Sequence, residues 1–213
     1  MGLGRDFYDA TWGRLFAAMY ERLMADTEEA GMRDRRRELL AGARGRTVEL
    51  GAGTGLNFAH YPEAVDELIL TEPFPPMAGR LRERTGDAAT VIEAPADRLP
   101  IPDASVDTVV STLVLCTVDD VPATLAEVAR VLKPGGRLLF AEHVRSEDPK
   151  LARWQDRLER PWKFVGHGCH PNRDTVAAIS ASPLEIEPVE RGELPKAPPI
   201  ARPLVVGSAR MPA

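Results

Sequence analysis

The stretch Val48-Glu49-Leu50-Gly51-Ala52-Gly53-Thr54-Gly55 constrains this chain more than any other. A short apolar run rich in β-formers breaks there into three glycines set two apart, a pattern that predicts a strand, a tight turn and the start of a helix. Glycine suits such a turn because it reaches positive φ and because a ligand can approach a backbone that carries no Cβ. Backbone N–H groups exposed at a helix start then favour an anionic group.

Spacing narrows the choice of ligand. A dinucleotide fingerprint, G-x-G-x-x-G, has its third glycine three positions after the second; here that position holds Leu56, and the third glycine is Gly55. Further along, Glu67-Leu68-Ile69-Leu70-Thr71-Glu72 reads as a second strand ending in a carboxylate, twenty-one residues after Gly51. A carboxylate at the tip of the strand beside a glycine loop can accept hydrogen bonds from both ribose hydroxyls of a nucleoside. An ordinary strand-to-helix turn and a strand-end surface acid are the plainer readings of the same residues.

The chain has 213 residues, 44% of them hydrophobic, enough for one sizeable core and short for two. A single domain over 1–213 is expected. With 27 basic against 32 acidic residues and a net charge of −5, no global basic field attracts nucleic acid. The two cysteines, Cys116 and Cys169, sit in stretches that look buried, which argues against a disulfide scaffold and for a reducing compartment. No stretch approaches the roughly 18 apolar residues of a membrane span, and the N-terminus lacks an apolar leader core. A soluble, cytoplasmic protein is the expectation.

Residues 6–42 carry apolar positions near helical spacing, with Gly31 separating two helices. Arg33, Arg35, Arg36 and Arg37 read as a solvated helix face, because Asp34 and Glu38 interrupt the charge. Leu56 to His60 should continue as a helix ending by Tyr61-Pro62, since a residue before proline avoids the helical region. Pro73 to Pro76 reads as a turn, with Met77 opening the next helix to about Arg84. Thr90 to Ala94 reads as a third strand. Just past it, Asp97 can accept a hydrogen bond from an adenine amino group while Ala96 leaves room for the ring. Thr108 to Cys116 reads as a buried strand running into a loop at the carboxyl end of the sheet, where ligands of open α/β sheets sit.

Several of these segments resemble a known family. The G-x-G-x-G spacing, with Glu49 two residues before Gly51, resembles motif I of the class I S-adenosylmethionine-dependent methyltransferases. Leu99-Pro100-Ile101-Pro102-Asp103-Ala104-Ser105-Val106-Asp107 is similar to the L-P-F-P-D-x-S-F-D segment of the group related to ubiquinone-biosynthesis enzymes. Glu127-Val128-Ala129-Arg130-Val131-Leu132-Lys133-Pro134-Gly135-Gly136 matches that group's helix, turn and fifth-strand entry, with the helix stopping at Lys133. Together they cover residues 44–145. Thr112 to Val118 resembles the T-L-V-L-C-S-V segment of the microsomal alkyl thiol methyltransferases, a likeness extended by Glu142-His143-Val144, Trp162, Gly168-Cys169 and Arg173. Those relatives carry an N-terminal membrane anchor that this sequence does not show, so no stable membrane insertion is expected.

The resemblance implies a Rossmann-like seven-stranded sheet with helices on both faces and a terminal antiparallel hairpin. Within it, 1–43 would be a helical lid, 44–145 the cofactor-binding core, 146–182 an acceptor cap and 183–213 the hairpin. S-adenosylmethionine is the implied cofactor. The loop residues Glu49, Gly51, Ala52, Gly53, Thr54, Gly55 and Asn57 would hold it, with Glu72, Pro73 and Met77 beside the second strand, Ala96 and Asp97 past the third, and Thr112 and Leu113 past the fourth. Tyr8 and Tyr20 of the N-terminal helices would face it, although an aromatic at helical spacing is also ordinary core. Cys116, His143, Trp162, His170 and Arg173 would line the acceptor side, with Asn172 capping a helix through Ser180.

The implied reaction is an in-line displacement at a methyl activated by its sulfonium, so the protein's main contribution is holding the acceptor behind it, which can lower the barrier by on the order of 7 to 11 kcal/mol at best. A thiol of pKa about 8.5 is partly ionised near neutral pH, whereas a hydroxyl needs a general base. His143 is the base candidate, a structural histidine being the equal alternative. Cys116 reads as a pocket wall, because direct displacement needs no covalent enzyme intermediate. His167, Cys169 and His170 invite a metal reading, but they lie within four residues with no second cluster apparent, and no metal is expected. The acceptor is expected to be small and fairly apolar, with sulfur favoured through the resemblance. O-, N- or C-methylation of a quinone, phospholipid headgroup or secondary metabolite is the alternative, and a non-catalytic cofactor-binding module a third.

Overall fold

The computed structural model describes residues 9–213; Tyr8 lies outside them. One mixed sheet organises the chain. Its strands are β1 (Gly45–Leu50), β2 (Val65–Thr71), β3 (Thr90–Ile92), β4 (Val106–Thr112), β5 (Leu132–His143), β6 (Glu185–Ile186), β7 (Glu190–Glu193) and β8 (Pro203–Arg210). The order is β3-β2-β1-β4-β5-β8-β6, with β7 also on β8. β1 to β5 are parallel, and β8 runs antiparallel between β5 and the β6–β7 arm. The hairpin expected at the C-terminus is present. Its first arm counts as two strands because the register shifts by one residue between Ile186↔Ala209 and Glu190↔Val206, a bulge that leaves the ladder interrupted.

Side-chain alternation divides the sheet into two buried faces. Val109, Leu138, Phe140 and Val205 pack on one side, while Val110, Leu139, Ala141 and Leu204 pack on the other. α1 (Arg14–Thr27) and α2 (Arg33–Leu40) are joined by a turn containing Gly31 at φ +126, so the expected break falls there. Met32, Leu39 and Leu40 of this segment join the second face. Arg36 lies on that same helical stripe and is only 3% exposed. The arginine cluster is therefore not wholly a solvated face: four- and three-residue spacing from Met32 to Arg36 to Leu39 forces one guanidinium inward.

Three element boundaries differ from expectation for local reasons. The segment after the glycine loop forms only a 3-10 turn at Phe58–His60, since Gly55 sits at φ +86 and β2 begins at Val65, leaving little chain for a helix. α3 (Pro75–Thr85) starts two residues before Met77; prolines in a first turn cost nothing there, because their missing N–H groups would be unpaired anyway. α4 (Val121–Val131) stops two residues before Lys133, because Leu132 is already extended and pairs with Val106 as the first residue of β5; Pro134 also keeps Lys133 out of the helical region. β5 then bulges through Gly135, at φ +74, before its register with β4 resumes at Arg137.

The two family-like segments clasp each other. The Leu99 N–H donates to Glu127 Oε1 at 2.6 Å, Arg130 pairs with Glu127 and Asp103, and Lys133 Nζ donates to Asp107 at 2.7 and 2.8 Å. Asp107 also accepts the Arg46 N–H at the start of β1, at 2.9 Å. Their role is architectural. After β5, α5 (Pro149–Val165) and α6 (Thr175–Ser180) replace the simple alternation. Asp174, not Asn172, caps α6 by accepting the Ala177 N–H at 3.0 Å, and Asn172 instead donates to Asp156. Among the described residues, no helix is long and apolar enough to cross a membrane.

Candidate active site

The glycine loop leaves β1 as the sequence predicts. Gly51, Gly53 and Gly55 have φ of +51, +59 and +86, values that L side chains adopt only under strain. A Cβ on Gly51 would meet Val114 at 3.0 Å and one on Gly55 would meet Leu81 at 2.8 Å, whereas over Gly53 the nearest atom is Tyr20 Cε1 at 4.0 Å. The backbone of Gly53 is thus the open floor of the loop, with the Tyr20 ring standing over it. Ala52 ties the loop to the neighbouring strand, its N–H donating to the Thr71 carbonyl at 2.8 Å.

Glu72 meets that floor. Its Oε2 accepts the Gly53 N–H and its Oε1 the Phe74 N–H, both at 2.9 Å. Burial pushes its carboxyl up to about 7, against the lowering effect of those two backbone hydrogen bonds. Pro73 is exposed beside it, Met77 is buried at the start of α3, Ala96 is buried past β3, and Asp97 is exposed.

Beneath the loop lies a polar network. Asn57 Nδ2 donates to Glu49 Oε1 at 2.9 Å and to Thr112 Oγ1 at 3.1 Å, while its Oδ1 accepts from Arg36 Nη1 at 2.9 Å. Arg36 Nε donates to Glu28 at 2.9 Å, and Tyr61 Oη donates to Glu49 Oε2 at 2.7 Å. Burial raises the Glu49 carboxyl, with the bonds from Tyr61 and Asn57 opposing it. Glu49 and Asn57 therefore support the loop from below. Thr54 is 1% exposed, and its Oγ1 has no hydrogen-bond partner among the described residues.

Most of the residues expected to line the acceptor side converge at the carboxyl ends of β4 and β5. Leu113, at φ +59, turns the chain sharply out of β4. Glu142 pins the loop that follows: its Oε1 accepts from Ser111 Oγ at 2.7 Å and from the N–H groups of Val114 and Leu115 at 3.0 and 3.1 Å. Arg173 Nη1 donates to the Leu115 carbonyl at 2.6 Å, and the His170 N–H to the Cys116 carbonyl at 2.8 Å. Cys116 and Cys169 have their Sγ atoms 4.0 Å apart, His143 Nε2 lies 3.2 Å from Cys169 Sγ, and Trp162 Nε1 donates to that sulfur at 3.3 Å. The Cys169 thiol is pulled down to about 5, first by its hydrogen bond with Cys116 and then by His143, with burial opposing. Burial pushes the Cys116 thiol well up. At His143 burial works against the charged ring, but the contact with Cys169 reverses the balance and raises it.

Two neighbours turn elsewhere. The His170 ring pairs with Glu159 at 2.7 Å, away from the sulfurs, and His167 stacks on Phe16 and lies tilted against Phe74, with ring centroids 5.3 and 4.7 Å away. The sequence-adjacent trio of His167, Cys169 and His170 therefore does not gather around one point. Arg36, Tyr61 and Glu142 are the site-supporting residues that the sequence reading did not assign. The sign available for Glu142 was a carboxylate inside an apolar strand, which must be satisfied wherever it is buried.

The sheet order, the left-handed glycine loop and the facing strand-tip carboxylate define a class I S-adenosylmethionine-dependent methyltransferase. A methyltransferase-domain family model matches residues 48–140. The thiol S-methyltransferase TMT1B of Homo sapiens is 34% identical over 212 residues, covering 89% of this chain and 86% of that protein. The Rattus norvegicus thiol S-methyltransferase TMT1B is 37% identical over 165 residues, covering 72% and 67%. Among solved structures, a SAM-dependent methyltransferase of Thermotoga maritima, described as a possible histamine N-methyltransferase, shares the fold with a TM-score of 0.71 at 22% identity, covering 94% of this chain and 98% of that one. The chain belongs to the S-adenosylmethionine-dependent methyltransferase family that includes these proteins.

Proposed function

We propose that this protein transfers the methyl group of S-adenosylmethionine to the sulfur of a small, fairly apolar thiol. The likeness to the thiol S-methyltransferases carries the reading, and the surroundings of His143 support it. The ring is 3% exposed with Nε2 against Cys169 Sγ at 3.2 Å, so it offers little free edge to take a proton from a bound hydroxyl. A thiol, with pKa about 8.5, needs far less help to lose its proton than an alcohol or phenol does.

The residues present fit the cofactor. Glu72 and the open Gly53 backbone would hold the nucleoside, with Asp97 and Ala96 on the adenine side and Tyr20 covering the loop. When bound, S-adenosylmethionine supplies a methyl already activated for displacement. The chain's own work is placement: Glu142 and Arg173 fix the loop carrying Cys116, and Trp162 and Leu113 give the acceptor an apolar wall. Residues 9–43, acting as a lid, and 146–182, acting as a cap, exclude water while the acceptor sulfur is aligned, the arrangement in which proximity lowers a barrier most.

The test is incubation of the full chain with S-adenosylmethionine and matched thiol, phenol and amine acceptors, read by mass spectrometry. A one-methyl mass gain on the thiol alone is expected. Turnover of the phenol or amine with the thiol left unmodified would replace the sulfur reading with oxygen or nitrogen methylation.

A further inference from the structure

Cys116, His143 and Cys169 come from three separate segments: the loop after β4, the last residue of β5 and the turn between α5 and α6. Their ligand atoms all lie within 4.8 Å of one another, and the residues are 1%, 3% and 9% exposed. Two sulfurs bound to one zinc at about 2.3 Å in tetrahedral geometry would stand about 3.8 Å apart, and a sulfur and a ring nitrogen about 3.5 Å apart. The observed separations are 4.0 Å between the sulfurs and 3.2 Å from Cys169 Sγ to His143 Nε2, each within a few tenths of an ångström of those values, and the third, from Cys116 Sγ to the ring, is at most 4.8 Å, so side-chain movements of about an ångström or less bring the three onto one ion.

The surroundings are those of a held site. Trp162 Nε1 donates to Cys169 Sγ, and the backbone on either side of Cys116 is fixed by Arg173 and the His170 N–H. Outer hydrogen bonds of this kind orient metal ligands. Beside His143 in sequence, Glu142 keeps a buried Oε2 with no hydrogen-bond partner among the described residues.

We infer that Cys116, His143 and Cys169 bind one zinc ion through two sulfurs and one imidazole nitrogen, leaving the fourth position open to the acceptor. Two soft sulfurs and a nitrogen select zinc over magnesium or calcium, and three protein ligands with one open position is the pattern of a catalytic zinc. On binding, the cluster releases two protons to solvent, one from Cys116 and one shared between Cys169 and His143, and the two thiolates balance the charge of the ion. The role of the fourth position rests on the thiol acceptor proposed above. There the acceptor's S–H proton leaves to solvent as a sulfur–zinc bond forms, with no change of oxidation state, and the acceptor is held as a thiolate without a protein base.

The reduced, chelator-stripped full chain, titrated anaerobically with Zn²⁺ against a chromophoric chelator and separately with Co²⁺, tests this. One ion per chain is expected, and Co²⁺ should give a sulfur-to-metal charge-transfer band together with intense tetrahedral visible bands. Cys116→Ser and Cys169→Ser should each weaken Zn²⁺ binding tenfold or more and reduce the charge-transfer band, with circular dichroism reporting that both variants fold, while His60→Ala on the far loop should bind as the parent does. Failure to bind Zn²⁺ or Co²⁺ stoichiometrically, or cysteine variants that bind unchanged, would overturn the site. Adding a small alkyl thiol to the Co²⁺-loaded chain should shift the visible bands where the matching alcohol does not. A spectrum indifferent to thiols would overturn the open position. Thiol methylation by a chain proved metal-free would overturn the zinc while leaving the proposed function standing.

Discussion

Two residues that meet at the glycine loop, Glu72 and Gly53, lend themselves to sharp tests of the proposed cofactor site because the physics acting on each is simple. Glu72 is buried with its carboxyl raised to about 7 from 4.5, so across roughly pH 5 to 7 the folded chain keeps a proton that the unfolded chain has already lost. Stability from this group therefore falls as pH rises through that window, because the native state binds more protons there. Cofactor affinity should move the opposite way, rising between about pH 6 and 8, since only the ionised carboxylate accepts from both ribose hydroxyls. In Glu72→Gln both slopes should flatten, and affinity at pH 8 should drop by about 1.5 to 3 kcal/mol, the worth of a hydrogen bond to a charged group. Calorimetric titration across pH checks it, and a Gln variant with the parent's pH slope would remove Glu72 from the sugar. Gly53 and Gly79 form a matched pair for the backbone. Gly53 at φ +59 has no atom nearer than 4.0 Å to an added Cβ, so Gly53→Ala isolates conformational strain and should cost roughly 1 to 2 kcal/mol. Gly79 lies inside α3 with nothing within 4 Å, and Gly79→Ala should gain about 0.5 to 1 kcal/mol by the same substitution. Thermal unfolding should show shifts of opposite sign.

At the scale of elements, what could be read from sequence was whatever local chemistry fixes. The three glycines left their spacing in the chain because other residues adopt their φ only under strain. The segments 99–107 and 127–136 were recognisable because each is compact, although their clasp appears only in the fold, and Gly31 announced the break between α1 and α2. What escaped the reading depends on partners distant in sequence. The inward turn of Arg36 is set by Glu28 and Asn57, and Cys169 joins Cys116 and His143, both expected on the acceptor side, across more than fifty residues of chain. The start of α6 shows how close the competition runs. Asn172 and Asp174 are both good capping residues, but the Arg145 N–H holds the Arg173 carbonyl at 2.8 Å and so keeps Arg173 out of the helix, which begins only after Asp174. Asp174→Ala should therefore lower stability by about 1 kcal/mol, a shift of roughly 2 to 4 °C in a chain this size, while Asn172→Ala, losing one exposed contact to Asp156, should stay within about 0.5 kcal/mol. Equal effects in the two melting curves would mean that the cap is shared.

Across the whole molecule, the N-terminal helices and the glycine loop are joined by one continuous buried chain of contacts, from Glu28 through Arg36 and Asn57 to Glu49, Thr112 and Tyr61. It links a segment outside the sheet to the tips of β1 and β4, so the seating of α2 and the shape of the loop floor are set together. Glu28 and Arg36 are 7% and 3% exposed, and removing one member of so buried a pair leaves the other charged without compensation. Arg36→Met should cost about 3 to 5 kcal/mol for that reason, whereas Glu28→Leu combined with Arg36→Met should cost less than the single change, since apolar residues of similar size tolerate the site. The double variant still deprives Asn57 Oδ1 of its donor, a further loss of about 1 to 3 kcal/mol if nothing replaces it. Both variants should consequently bind S-adenosylmethionine more weakly than the parent, even though they differ in stability. Denaturant unfolding measures the first quantity and cofactor titration the second. If the double variant recovers stability and also binds as tightly as the parent, the network serves only to hold α2 on the sheet. If affinity stays low while stability returns, Asn57 is the joint through which the covering helices position the loop, and hydrogen exchange at 51–57 should quicken in both variants.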